Sequence, residues 1–159
     1  LTDMDATFVA ISIGWDEALL RFAVAFLLPL LIGLERYFRS KPIDFRPFVI
    51  ISLAACALAF AGIELGERAT DPQVRVDPTR IFEGVITGIG FLGGAAMFRE
   101  GRYVKGAGSA ASVWAAGAIG TLAGAGFLAI AVALGVTVLL LLLISGPFID
   151  KYDPGEGPD

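Results

Sequence analysis

The strongest constraint in this sequence is a stretch without charge. Residues 106–149, 44 in a row, include no Asp, Glu, Lys or Arg. About 20 helical residues, each rising about 1.5 Å, cross the hydrocarbon core of a bilayer. A single helix over this run would overshoot the membrane about twofold, so the run must hold two spans and a turn. Gly124-Ala125-Gly126 is where the chain can reverse.

The same reasoning upstream predicts three more spans. The five lie at about 17–34, 47–63, 81–98, 109–123 and 127–148. In lipid each backbone N–H and C=O needs a partner within its own segment, so the spans are expected to be helices. A β-barrel would need alternating ten-residue segments, and none is present. The predicted fold is all-α, a polytopic integral membrane helix bundle of about five transmembrane helices. Composition agrees, with 56% hydrophobic and 18% charged residues, where soluble domains carry about 25% charged. The chain divides into an extracytoplasmic segment (1–16), the membrane domain (17–149) and an acidic tail (150–159) expected to be disordered. Asp77-Pro78-Thr79 reads as the cap and first turn of the third span.

Arg and Lys in short loops set orientation. Arg36, Arg39, Lys41 and Arg46 follow the first span, Arg99, Arg102 and Lys105 follow the third, and Lys151 follows the fifth. The opposite side has only Arg68, Arg75 and Arg80. Eight against three predicts an N-terminus outside and a C-terminus in the cytoplasm of a multi-pass bacterial inner-membrane protein. The net charge of −4 comes mainly from acids at the two ends and says little about partners. No nucleic-acid partner, metal or cofactor is expected. With no His and one Cys, zinc sites, His-based triads and a disulfide framework are excluded. No signal-peptide pattern and no nucleophile–base pair stand out, so no enzyme is expected.

Gly88 to Gly94 reads GIGFLGG and contains GxGxxG. A dinucleotide site would need a strand before it and an acid about 20 residues on. Inside a span, the glycines read instead as helix-packing faces, with Gly84/Gly88, Gly90/Gly94 and Gly120/Gly124 each spaced by four. Some of these faces are expected to form a subunit interface, in a homodimer or with another membrane protein. Ser109 and Ser112 precede Trp114 on a small-residue helix, to bond a neighbouring helix or their own backbone, or to line a cavity with Glu35 and Thr87. Arg21 and Glu83 are the two charges expected inside spans, either paired across helices or reaching separately to the interface. Glu35, Arg36, Arg46, Arg99, Arg102 and Lys105 form a basic rim, an anchor for anionic headgroups or a receptor for an anionic lipid, a protein or a nucleotide. Pro29 is expected to kink the first span.

In this order, these pieces resemble the membrane domain of the MgtC/SapB family. The resemblance is carried by Ile32-Gly33-Leu34-Glu35-Arg36, Arg46, Asp77-Pro78 with Arg80, and Thr87-Gly88-Ile89-Gly90-Phe91-Leu92-Gly93-Gly94. Arg99-Glu100-Gly101, Val104-Lys105-Gly106, Ser109-Ala110-Ala111-Ser112-Val113-Trp114 and Ala118-Ile119-Gly120 complete it, over about residues 17–144. The soluble domain that many members carry after the last span is expected to be absent. The resemblance implies a bacterial inner-membrane protein linked to low-magnesium adaptation and to survival inside host cells. It also implies restraint of the F-type ATP synthase, whose membrane subunit becomes a candidate partner. An Asn tied to partner binding in the family corresponds to Gly108, and the Thr after it to Ser109. The residues expected to carry function are therefore Glu35, Arg36, Arg46, Arg80, Glu83, Gly88, Gly90, Gly94, Lys105, Ser109, Ser112 and Trp114. The alternative is a small ion or solute transporter built on the cavity named above.

Overall fold

The computed structural model describes residues 12–39, 44–67, 77–100 and 103–152. Among the described residues five helices follow one another: α1 (Trp15–Phe38), α2 (Arg46–Glu67), α3 (Pro78–Ala95), α4 (Ala107–Gly124) and α5 (Leu128–Tyr152). Each expected span has its helix. Three of them, Trp15–Phe38, Arg46–Glu67 and Leu128–Ser145, are long and apolar enough to cross a membrane. α3 and α4 are shorter, at 18 residues each. Residues 153–159 of the expected acidic tail, the N-terminal residues 1–11, and Lys41, Arg68, Arg75 and Arg102 lie outside the described residues, while 150–152 are helical. α5 itself continues to Tyr152, past the expected end of its span.

Local chemistry accounts for the helix boundaries. Asp77 caps α3, its carboxylate accepting from the Thr79 N–H at 3.0 Å, and Pro78 occupies the first turn. Asp44 accepts from the backbone N–H of Arg46 at 2.6 Å at the start of α2. α4 ends in a left-handed cap. Gly126 sits at φ +87°, its N–H donates to Ala123 O at 3.0 Å, and the Phe127 N–H donates to Leu122 O at 2.9 Å. That is the two-bond closure a glycine permits after a helix. Where a simple loop follows α3 in the sequence reading, the structure has a short hairpin. β1 (Phe98–Glu100) pairs antiparallel with β2 (Tyr103–Lys105), with Phe98 opposite Lys105. α1 runs unbroken through Pro29, which is fully buried.

The packing is inverted relative to a soluble protein. The buried core is rich in small residues, with Ala25, Ala55, Cys56, Ala116 and Ala123 alongside Ile32, Phe48 and Ile119. Large apolar side chains such as Leu19, Leu27, Ile50, Leu58, Ile130, Leu141 and Ile144 face outward. Between apolar helices in lipid there is no hydrophobic drive to associate, so close backbone approach supplies the attraction. α4 is the axis, buried around most of its circumference and touching each of the other four helices. A Cβ on Gly120 would overlap the Ser52 carbonyl oxygen, and one on Gly124 the Cys56 carbonyl oxygen. These two glycines let α2 lie directly on α4.

Candidate functional site

α1 carries one arginine toward each pole of α4. At the C-terminal pole, Arg21 Nη1 donates to Gly124 O at 2.9 Å, and Nε and Nη2 bond Glu17 at 3.2 and 2.5 Å. Its guanidinium carbon lies 5.7 Å from the centre of the Phe60 ring. A cation suits this place, because the last turn of a helix presents unpaired carbonyls and a partial negative charge. Glu83 is exposed on α3, so Arg21 does not take the pairing with Glu83, one of its two expected arrangements, and caps α4 instead. The sequence reading also passed over Glu64, which is buried on α2 and accepts from Ser12 N at 2.9 Å and Ser12 Oγ at 2.7 Å. The signal available for it was an acid directly beside apolar residues, Ile63-Glu64-Leu65.

At the N-terminal pole stands a buried charge cluster. Arg36 is 4% exposed and Glu35 8%. Arg36 Nε donates to Glu35 Oε2 at 2.6 Å, and Arg39 Nε lies 2.5 Å from Glu35 Oε1, an ion pair outside hydrogen-bond geometry. Arg39 Nη2 also donates to Leu143 O at 3.3 Å. Arg36 Nη1 lies 3.7 Å from where a Cβ on Gly108 would stand, and among the described residues no other atom beyond the neighbouring turns of α4 comes within 4 Å. Ser109 is buried beside it. Ser112 Oγ donates to Gly108 O at 2.7 Å, the back-bonding common for helical hydroxyls.

The remaining residues singled out from the sequence lie elsewhere. Arg46 is exposed and paired with Asp44, and that hydrogen bond holds the Asp44 carboxyl below the usual carboxylate range. Arg80, Glu83 and Thr87 are exposed along α3, Trp114 is partly exposed on α4, and Lys105 ends β2. Arg36, bonded to Glu35, reaches the start of α4 at Gly108, where Ser109 and Ser112 are buried, while Thr87 is exposed on α3. GIGFLGG is wholly helical, within α3. Among the described residues nothing beyond α3's own backbone lies within 4 Å of a Cβ built on Gly84, Gly88, Gly90 or Gly94, whereas one on Gly93 comes 3.3 Å from Ala110 O. Phe91, on the same open side, is 79% exposed. α3 packs on α2 and α4 with its other side.

Comparison with known proteins fits this architecture. The model of the MgtC family matches residues 22–150. The chain belongs to the MgtC family. Protein MgtC of Brucella abortus is 34% identical over 82% of the chain and 52% of its own length. Protein SapB of Bacillus subtilis is 30% identical over 90% of the chain and 61% of its own length. An uncharacterised protein of Synechocystis is 34% identical over 79% of the chain and 51% of its own length. The chain therefore spans a little over half the length of these relatives. No solved structure matches it. Family membership and the apolar helices together make it a membrane protein.

Proposed function

We propose that this MgtC-family chain is a non-enzymatic regulator of the bacterial inner membrane, acting through contact between the outer face of α3 and another membrane protein. The observation that carries the reading is the open glycine face: Gly84, Gly88, Gly90 and Gly94 have nothing within 4 Å of a built Cβ. Glycines on a lipid-facing helix leave shallow grooves that a partner helix fills closely. A second copy of the chain and a membrane subunit of the ATP synthase are the partners to test first, the latter on family resemblance. The same resemblance ties the role to low-magnesium adaptation and intracellular survival. The bias of bases, eight against three, supports a cytoplasmic C-terminus. The transport reading gains little from the geometry, because Glu35 already binds two guanidiniums and Thr87 points away from Ser109.

Site-directed crosslinking tests the proposal. The sequence holds one cysteine, Cys56, which is buried. In a Cys56→Ala background, Gly84→Cys and Phe91→Cys chains labelled with a thiol-reactive benzophenone and irradiated in native membranes are expected to form adducts well above 16.7 kDa. Mass spectrometry then identifies the second component. Adding Gly88→Leu should abolish the adduct while leaving the monomer as stable as before. Monomer alone across the series would refute a contact at α3.

A further inference from the structure

Two of the described helices, α3 and α4, are not among those long and apolar enough to cross a membrane. For α4 the other helices make up the difference, since they enclose it. α3 has no such cover. Among its described residues only Ile89 and Gly93 are buried. Its open side carries a regular stripe. Arg80, Gly84, Thr87, Phe91 and Gly94 follow one another at spacings of four and three, and every one of them is exposed. Such spacing averages about 3.5 residues, the repeat that keeps one face of a helix against a second helix. Phe91 supplies the bulk in the stripe, and the glycines to either side of it supply the space for a neighbour's bulk.

The polar groups on this side narrow the choice of neighbour. Glu83 is exposed one turn from Arg80. Neither side chain has a hydrogen bond or an ion pair among the described residues. Arg80 acts on the cap carboxylate of Asp77 through space alone. The Thr87 hydroxyl, midway along α3, is likewise without a partner among the described residues, whereas Ser112 and Thr121 of α4 each donate to a carbonyl one turn back. An apolar helix would leave all three groups unanswered. A second copy answers them with the same three. Two copies inserted in the same direction set their α3 helices parallel. Under a twofold axis each Arg80 then meets Glu83 of the other copy, about 4.5 Å further along the helix, and the pair forms twice. The two Thr87 hydroxyls come level and can bond across the interface. We propose that the open side of α3 is a self-association surface, packed on α3 of a second copy about a twofold axis along the membrane normal and set in register by reciprocal Arg80–Glu83 pairs. This rests on the contact at α3 proposed above and names its partner.

The test uses the whole chain, labelled at its C-terminus with a donor or an acceptor dye and reconstituted in phosphatidylcholine vesicles over a range of dilutions in lipid. Energy transfer between the two labelled pools reads self-association. Wild type should associate. Arg80→Glu and Glu83→Arg should each associate about tenfold more weakly, because each variant sets like charges against like across the axis. Mixing the two variants restores opposite charges at both contacts, so the mixed pair should return to within about threefold of wild type. The double exchange within one chain should do the same. Recovery on mixing also shows that both variants are folded. Arg46→Gln, at an exposed arginine already paired with Asp44, should leave association unchanged. Wild type that stays monomeric, or a mixture no better than either variant alone, overturns the second copy as partner. The benzophenone adducts then decide the broader reading. An adduct at Phe91→Cys containing a different protein keeps the α3 contact while refuting self-association, and no adduct at all refutes both.

Discussion

Gly120→Ala and Gly88→Ala are the same chemical change at two glycines that a spacing pattern treats alike. The structure makes them opposites. At Gly120 a Cβ would overlap the Ser52 carbonyl oxygen and stand 2.7 Å from Ser52 C and 2.8 Å from its Cα. Carbon–carbon contact is comfortable at about 3.5–4.0 Å, so α2 and α4 would have to part by about 1 Å. All three neighbours are backbone, so no rotamer change relieves them. Rocking about the contact fails too, because Gly124 is packed as closely on Cys56. Overpacking costs about 1–3 kcal/mol, and a rigid backbone neighbour puts this case near the top of that range. Replacing a helical Gly by Ala returns roughly 0.8–1.0 kcal/mol of helix propensity. Gly120→Ala should therefore destabilise by about 2 kcal/mol. Gly88→Ala meets nothing within 4 Å, so it keeps the propensity gain alone, up to about 1 kcal/mol. Reversible unfolding by SDS titration in mixed micelles, at dilution where the chain is monomeric, should separate the two by about 3 kcal/mol. Equal stability, or Gly88→Ala the weaker, would refute the assignment of inner and outer glycine faces.

Four further outcomes follow from single contacts. Arg21→Ala should cost about 1.5–3 kcal/mol in the same assay, since a charged donor leaves the Gly124 carbonyl. Reversing Glu83 to Arg should not rescue a reversal at Arg21, because the two do not pair. Asp77 titrates below its ordinary value, chiefly through the hydrogen bond from the Thr79 side chain. A depressed folded pKa means the cap's contribution is complete above the unfolded pKa, about 3.9, and is lost as pH falls through the folded one. Thermal midpoints of wild type and Asp77→Asn should therefore converge as pH drops below the ordinary carboxylate range, and a gap that widens there would contradict the cap. Ser52 Oγ is buried without a hydrogen-bond partner among the described residues. Ser52→Ala should be neutral or stabilise by up to about 1 kcal/mol in the SDS assay.

Much of the fold was legible because lipid allows few solutions. An uncharged run too long for one span had to turn, and it turns at Gly124–Gly126. Asp77-Pro78 carries its own boundary signal, and α3 starts there. What the sequence withheld is rotation about helix axes. Spacing by four places Gly84 with Gly88 and Gly120 with Gly124, yet it does not say which pair faces in. α4 is small and apolar on every side, so no stripe betrays its central position. Arg21 looked peripheral because it lies two turns into α1. Its partner is a backbone carbonyl some hundred residues away, and no side-chain pattern reports that. Glu64 escaped notice because its donors come from Ser12, beyond the opposite end of the sequence reading's first span. At the candidate site the basic rim was visible as composition. Only packing shows that Arg36 is buried against Gly108, while Arg46 is exposed and already paired.

The distribution of bulk points to α3 as the helix with unfinished contacts. A lipid-facing surface loses nothing by presenting large branched side chains, and α5 does so with Ile130, Leu140, Leu141 and Ile144. α4 turns Gly117, Gly120 and Gly124 inward, where each is matched by a backbone or an Ile89 side chain. α3 does neither. It turns Ile89 and Gly93 to the bundle and leaves Gly84, Gly88, Gly90 and Gly94 outside, with Thr87 and Phe91 among them. Flexible acyl chains can line such a groove only by giving up conformational freedom, whereas a second helix arrives already ordered and packs against it at close range. Among the described helices, α3 is therefore the one whose outward glycines leave it best shaped to meet another.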